Sequence, residues 1–206
     1  VAEIARIPGV RLAYPDISIP ALIGLEGKEE FRLIRVVPAA VAASRAVQVK
    51  WGRAFASDDE KGVIVSRTLV RRLGAGDPAA AVGKTLRVKS VSLDFGRLVA
   101  FALGGSRSGQ GLPLAEGAYD FPIIGVSDIP AFGGGPGLGS NDVLIPPGPA
   151  RAIERLPITS VWDLFRMSGG RPGYSAVSAT LGSLRDLEPV RSRVREMGFA
   201  TFALAD

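Results

Sequence analysis

The apolar residues of this chain come in short runs, most of them closed by glycine or proline, and no uninterrupted apolar stretch reaches the roughly 18 residues that would cross a membrane as a helix. Runs this short build strands and brief helices. With 26 glycines and 15 prolines among 206 residues, the chain turns often. Its hydrophobic share of 47% and mean hydropathy of +0.24 still supply a core, and a chain of this size buries roughly 70% of its unfolded surface. One domain, or two small ones, fits the length. Val1 in place of methionine suggests a processed chain or an excised fragment.

Ile4, Ile7 and Val10 bracket Pro8-Gly9, the pattern of a helix end turning into a strand over Val10–Tyr14. Ile17–Ile23 and Phe31–Val37 read as two antiparallel strands about a polar turn within Gly24–Glu30. Pro20 places the first of them at an edge or a bulge. Pro38–Ala46 fits a short alanine-rich helix. The firmest local pattern is Gly62-Val63-Ile64-Val65, a buried strand, followed by Ser66 as N-cap, a helix Arg67–Leu73 and Gly74 as its stop.

Beyond it, Thr85–Val91 alternates as a half-buried strand, with Arg97–Leu103 as its expected partner. Phe121–Val126 and Val143–Pro146 are further strands, and Pro149–Leu156 a two-turn helix. Gly104–Gly111 and Phe132–Ser140 read as glycine loops. Val161–Met167 and Tyr174–Thr180 read as strands joined by a turn over Ser168–Pro172. Asp186 is placed to cap a helix through Met197, with Leu187, Val190, Val194 and Met197 on its apolar face, before a strand over Phe199–Leu204. Met197 and Phe199 read as core.

The chain has neither cysteine nor histidine. That removes thiol nucleophiles, disulfides, Cys/His metal sites, Ser-His-Asp triads and imidazole switching. Lacking cysteine does not fix the compartment. Lys and Arg number 25 against 20 acids, a net +5, and the excess lies in the first half. Arg67, Arg71 and Arg72 form the one tight basic group, with the spacing of a solvated helix face beside Leu69, Val70 and Leu73. Charge spread this thinly does not argue for nucleic acid.

The glycine stretches Gly104–Gly111 and Gly133–Gly139 lack the Gly-Lys-Ser/Thr ending and following helix of a phosphate loop, and Val82-Gly83-Lys84-Thr85 lacks the upstream glycines. Asp58, Asp59 and Glu60 lack the ordered oxygen spacing of a calcium loop and read as a solvated turn. Among Asp94, Glu116, Asp120, Asp128 and Asp142 nothing selects a catalytic pair, though a small carboxylate hydrolase stays open on the residues alone. Ser66 and Ser127 sit in no nucleophile motif. Trp51 and Trp162, each at a strand boundary, read as core, with contact to another protein as the alternative. No catalytic, cofactor-binding or metal residue is therefore expected.

One ordered set of pieces runs along nearly the whole chain: Ile7-Pro8-Gly9-Val10 with Tyr14-Pro15, Gly52-Arg53-Ala54-Phe55, Gly62-Val63-Ile64-Val65-Ser66 with Leu69 and Arg72-Leu73, Val82–Val88, Phe121–Val126, and Leu187 to Gly198-Phe199. In that order they resemble the MacB-like periplasmic core domain, the extracytoplasmic part between the first two membrane helices of ABC-transporter permeases of the macrolide-exporter and lipoprotein-release kind. The resemblance implies an α+β fold: a porter-like α/β subdomain from residues 1–46 and 148–206, with a strand-rich subdomain, 47–147, inserted. It implies a periplasmic domain that transmits conformational change to substrate or partner proteins and catalyses nothing. Its partners would be a cytoplasmic ATP-binding subunit, a second permease subunit and other envelope proteins. A free-standing periplasmic binding or scaffold protein is the alternative. The region from Ser92 to Glu116 departs from the pattern.

Overall fold

A computed structural model describes residues 1–44, 47–93, 114–128, 142–153 and 176–201. The expected strands over 97–103 and 161–167, the loops over 104–111 and 132–140, the turn over 168–172, and Trp162 lie outside them. The chain forms two compact units, Val1–Ile17 with Gly173–Asp206, and Ser18–Pro172.

In the smaller unit, helix α1 (Ala2–Ala5) leads into β1 (Val10–Pro15), which pairs antiparallel with β9 (Val177–Leu181). Pro8 and Gly9 make the turn between them. The N–H of Val10 donates to the carbonyl of Ile7 at 3.0 Å, and Gly9 takes φ +93°; proline second and glycine third is the type II pattern. Gly9 is also the only residue that fits, since a Cβ there would lie 2.7 Å from Cβ of Asp186.

A 3₁₀ turn, Leu184–Asp186, precedes α6 (Leu187–Glu196). Val190 is buried with Ile4 and Ile7, and Val194 and Met197 pack on them together with Val10, Ala13, Val177 and Leu181. The helix face is the one its periodicity predicts. Asp186 differs from expectation: it stands at the N-cap position, but its side chain makes no capping bond. The reason is its helical backbone (φ −79°, ψ −11°) as the last residue of the 3₁₀ turn, where a cap residue needs an extended one. Ser183 caps that turn instead, accepting from the N–H of Arg185 at 3.2 Å. Phe199, expected in the core, is 53% exposed, and residues 199–201 lie in no strand.

The larger unit is a seven-stranded mixed sheet in the order β4-β7-β5-β8-β3-β2-β6. Strands β2 (Ile17–Leu25) and β3 (Lys28–Val36) are joined through Glu26 and Gly27, both with positive φ, the two-residue type I′ hairpin. β2 is interior, between β3 and β6 (Thr85–Leu93); its pairing with β6 covers Ala21–Gly24 and leaves Pro20 just beyond, so the edge expected from Pro20 is not there. Among the described residues β6 pairs with β7 (Leu114–Ser127) as well as β2: Thr85–Leu93 pairs antiparallel with Pro122–Leu114.

The rest of β7 pairs with β5 (Val63–Ser66), in parallel, and with β4 (Val49–Gly52). β8 (Val143–Ile145) lies between β5 and β3, antiparallel to the first and parallel to the second. Hydrogen-bonded neighbours followed from β7 through β5, β8, β3, β2 and β6 thus return to β7. The cuts expected near residues 46 and 147 both fall inside this unit, in which β2 is bonded to β6 and β3 to β8.

β5 and β8 are buried on both faces, which is why they read as unbroken apolar runs. Ile64 and Leu144 pack in one cluster with Val37, Ala42, Val47 and Phe55. Helices α2 (Ala39–Ala42), α3 (Arg67–Arg72), α4 (Pro78–Ala81) and α5 (Pro147–Ala152) are all short. Leu69, Val70 and Leu73 of the α3 region are buried, each such side chain stabilising the fold by about 1.5–3 kcal/mol.

The Gly52-Arg53-Ala54-Phe55 motif has a physical role at every described contact. A Cβ on Gly52 would lie 2.2 Å from the carbonyl oxygen of Ile124, so glycine lets β4 approach the backbone of β7 closely where the two pair. Arg53 grips Glu60 with two nitrogens, and Phe55 fills the cluster around Ile64.

Gly9→Ala forces a side chain onto Asp186 in a left-handed conformation and is expected to cost about 1–3 kcal/mol. Amide exchange within β1, β9 and α6 checks this: those elements lose protection, while β5 and β8 keep theirs.

Candidate functional site

Four of the polar residues singled out from the sequence, Ser66, Ser127, Asp128 and Asp142, meet at one end of β5. Ser66 is 3% exposed and Asp142 2%. The Ser66 hydroxyl accepts from the N–H of Leu69 at 3.0 Å, the helix cap its position predicts, and donates to Oδ1 of Asp142 at 2.6 Å. The Ser66 N–H also donates to the Asp142 carbonyl at 2.8 Å. Nε of Arg32 lies 3.1 Å from Oδ2 of Asp142, and the same guanidinium pairs with Glu30, whose Oε1 is 3.8 Å from Nη1 of Arg72.

Both ends of α3 are therefore tied to the sheet, the start through Ser66 and Asp142, the finish through Arg72 and Glu30, with Arg32 joining the two. A carboxylate this buried needs partners that restore its lost hydration. Here it has a hydroxyl and a guanidinium.

Next to this pair, Ser127 is buried opposite Ser66 in the parallel ladder. Asp128 follows it, 2.8 Å from Nη1 of Arg67 and 3.3 Å from Nζ of Lys50. Of the basic group, Arg67 is thus engaged and Arg71 and Arg72 are exposed on α3. Asp120 lies elsewhere, paired by two bonds with Arg87 at 3.0 and 3.2 Å; that pairing lowers its carboxyl pKa and raises that of the guanidinium. Glu116 stands in β7 opposite Val91, and Asp94 lies outside the described residues. Trp51 is half-buried, with Nζ of Lys50 5.0 Å from its ring centroid, a cation–π contact.

The Asp58–Glu60 turn does more than face water. Oδ1 of Asp58 accepts from the N–H of Ala39 at 2.7 Å and so caps α2, and its carbonyl accepts from the N–H of Gly148 at 2.8 Å at the start of α5. Glu60 accepts from Arg53 and from the N–H of Ala56 at 2.6 Å. The Arg53 bonds hold its carboxyl below the usual range, burial opposes them, and the Ala56 amide adds a further lowering.

Sequence reasoning missed the inward turn of Glu30 and Arg32. The signal was present: they alternate with Ile34 and Val36 along β3, so all four share one face.

Chemically the cluster is a joint. Ser66 donates its proton to Asp142 and accepts from Leu69, and neither it nor Asp142 reaches solvent where a substrate could meet it. Among the described residues no group of three metal-ligating side chains occurs, and no helix is long and apolar enough to cross a membrane. Two shallow hollows are present, about 460 Å³ beside Lys28, Glu30 and Arg72, and about 440 Å³ in the smaller unit beside Arg6, Pro8 and Met197. Neither gathers catalytic groups.

The larger unit is thus a mixed sheet with short helices, and the smaller one a strand–helix unit. The structure is similar to the extracellular domain of the noncanonical ABC-type transporter YknZ from Gram-positive bacteria, with a TM-score of 0.51 at 14% identity over 97% of this chain and 82% of that one. It is similar also to the periplasmic region of MacB from Actinobacillus actinomycetemcomitans, with a TM-score of 0.50 at 11% identity over 95% of this chain and 71% of that one. No curated protein sequence matches. The profile of the MacB-like periplasmic core domain matches residues 1–197, and the chain belongs to that family. It is an extracytoplasmic domain of the ABC-permease kind, a class not known for catalysis.

Asp142→Ala leaves Arg32 and Ser66 without their buried partner and is expected to destabilise by about 3–5 kcal/mol, against about 1–3 kcal/mol for Ser66→Ala; urea unfolding measures both, and equal losses would contradict the role given to Arg32.

Because the folded pKa of Glu60 is depressed, its contribution is complete above the unfolded value of about 4.3 and is lost as pH falls through the folded one. Arg53→Ala should make the acid side of a Tm against pH curve shallower; parallel curves would show that the pair contributes nothing.

Proposed function

We propose that this domain carries conformational change outside the cytoplasmic membrane, within an ABC-transporter permease that works with a cytoplasmic ATP-binding subunit and a second permease subunit, and delivers that change to substrate or to other envelope proteins. The observation that carries the reading is the family match over residues 1–197.

Physical support comes from the larger unit. A relay must move as a body, and close-packed interiors transmit strain where loose ones absorb it. The circuit of strands from β7 back to β7 opposes opening at any single pairing, and the Ser66, Asp142 and Arg32 contacts hold α3 against it. The smaller unit, with two strands under a helix, is the part we compare with the porter modules of efflux pumps. The chain has no histidine or cysteine, and Ser66 and Asp142 are bonded to each other in the packing, in keeping with a domain that works by shape.

The test uses the full-length parent permease purified with its ATP-binding subunit. Asp142→Ala, which loosens α3, is expected to leave ATP hydrolysis within about twofold and to reduce transport at least tenfold. Transport that persists when the domain is measurably loosened would remove the relay role. A parent that has no apolar spans beside this domain and purifies without an ATPase would instead be a free-standing periplasmic binding or scaffold protein.

A further inference from the structure

Among the described residues the polar side chains that are buried are Ser66, Ser90, Ser127 and Asp142, all in the larger unit. Ser66 and Asp142 are bonded to one another, and Ser127 also has a partner. Ser90 differs. It is 1% exposed, and its hydroxyl has no hydrogen-bond partner in the protein. Buried hydroxyls are as a rule bonded, to protein or to ordered water, because losing hydration without replacement is costly.

Ser90 lies in β6, in a row of the sheet made from the smallest side chains. Ala21 stands opposite it in β2 and Gly117 opposite it in β7. Side chains in register point to one face. Here that face is the buried one, since Ile19, Ile23 and Val88, each two residues along the same strands, are at most 1% exposed. A methyl group on one side of the hydroxyl and a hydrogen on the other leave room that larger neighbours would have filled.

The phenol of Tyr119 leans over this row from β7. Its Oη lies 2.8 Å from the place a Cβ on Gly117 would take. Cβ positions paired across strands are about 4.5–5.5 Å apart, so no more than about 8 Å separates that oxygen from Cβ of Ser90. A hydroxyl donates one hydrogen bond and accepts two, so the phenol keeps capacity beyond a single bond. Tyr119 is itself half-buried.

We propose that the larger unit binds an ordered water at Ser90, between Ala21 and Gly117, which bonds the Ser90 hydroxyl and links it towards the Tyr119 phenol. The small neighbours make the seat, and the hydroxyl makes it polar; an apolar gap stays dry, whereas a polar one takes water. Glycine at 117 acquires a reason, because a Cβ there would push the phenol aside. This site is independent of the relay role.

The experiment records nuclear Overhauser transfer from long-lived water in the isotope-labelled full chain, and the thermal midpoint of the chain and of Ser90→Ala. Transfer to the methyl of Ala21 is expected in the parent and should disappear in Ser90→Ala. The midpoint of Ser90→Ala is expected to fall by about 2–4 °C, since a bonded hydroxyl has been removed. A hydroxyl with no water would give the opposite sign, because its deletion relieves an uncompensated burial. No transfer to Ala21 in the parent, transfer that survives Ser90→Ala unchanged, or a midpoint that holds or rises would overturn the proposal.

Discussion

The larger unit depends on one strand being shared. β7 spends residues 114–122 on β6 and residues 123–127 on β5 and β4, so a single stretch of backbone closes what would otherwise be an open sheet. Open edges invite pairing with other chains, and closing a sheet on itself removes them. The geometry demanded by this sharing is visible at Gly52, where the backbone of β7 at Ile124 leaves no room for a Cβ, and at the irregular register between Val63 and Ile64. These are the places where two pairings on one strand have to be reconciled.

Much of this was legible in the residues themselves. The strand, cap, helix and stop from Gly62 to Gly74 follow from local chemistry, as does the buried face of α6, because each signal acts within a few residues. What failed were inferences about partners distant in sequence. Thr85–Val91 announced a strand but not that its neighbour begins at Leu114, and Pro20 announced a restriction but not that it would fall just past a paired segment of an interior strand. Asp186 has the right residue type for a cap and the wrong backbone, set by the 3₁₀ turn before it. Asp142 could be named among several carboxylates, yet only the fold brings Arg32 and Ser66 to it from positions far away in the chain.

The family resemblance and the physical reading agree on what kind of domain this is, from different starting points. The profile match rests on sequence pattern along residues 1–197. The structure assigns physical jobs to the residues that make up that pattern: a type II turn at Ile7-Pro8-Gly9-Val10, a close backbone approach at Gly52, a helix cap at Ser66. None of these jobs is chemical transformation, and each fixes the path of the backbone. A motif made of such positions marks an architecture, and architecture is what distant relatives at 11% and 14% identity still share.

The pairs across the outer wall, Glu26 with Lys84, Glu29 with Lys89 and Asp120 with Arg87, have an electrostatic consequence. Each is exposed and contributes only about 0–1 kcal/mol, yet together they cancel every cation they contain. The molecule's formal surplus of +5 is therefore not a uniform basic coat. Seen from more than a Debye length away, about 8 Å at physiological ionic strength, these three pairs add nothing to the pull felt by an approaching polyanion.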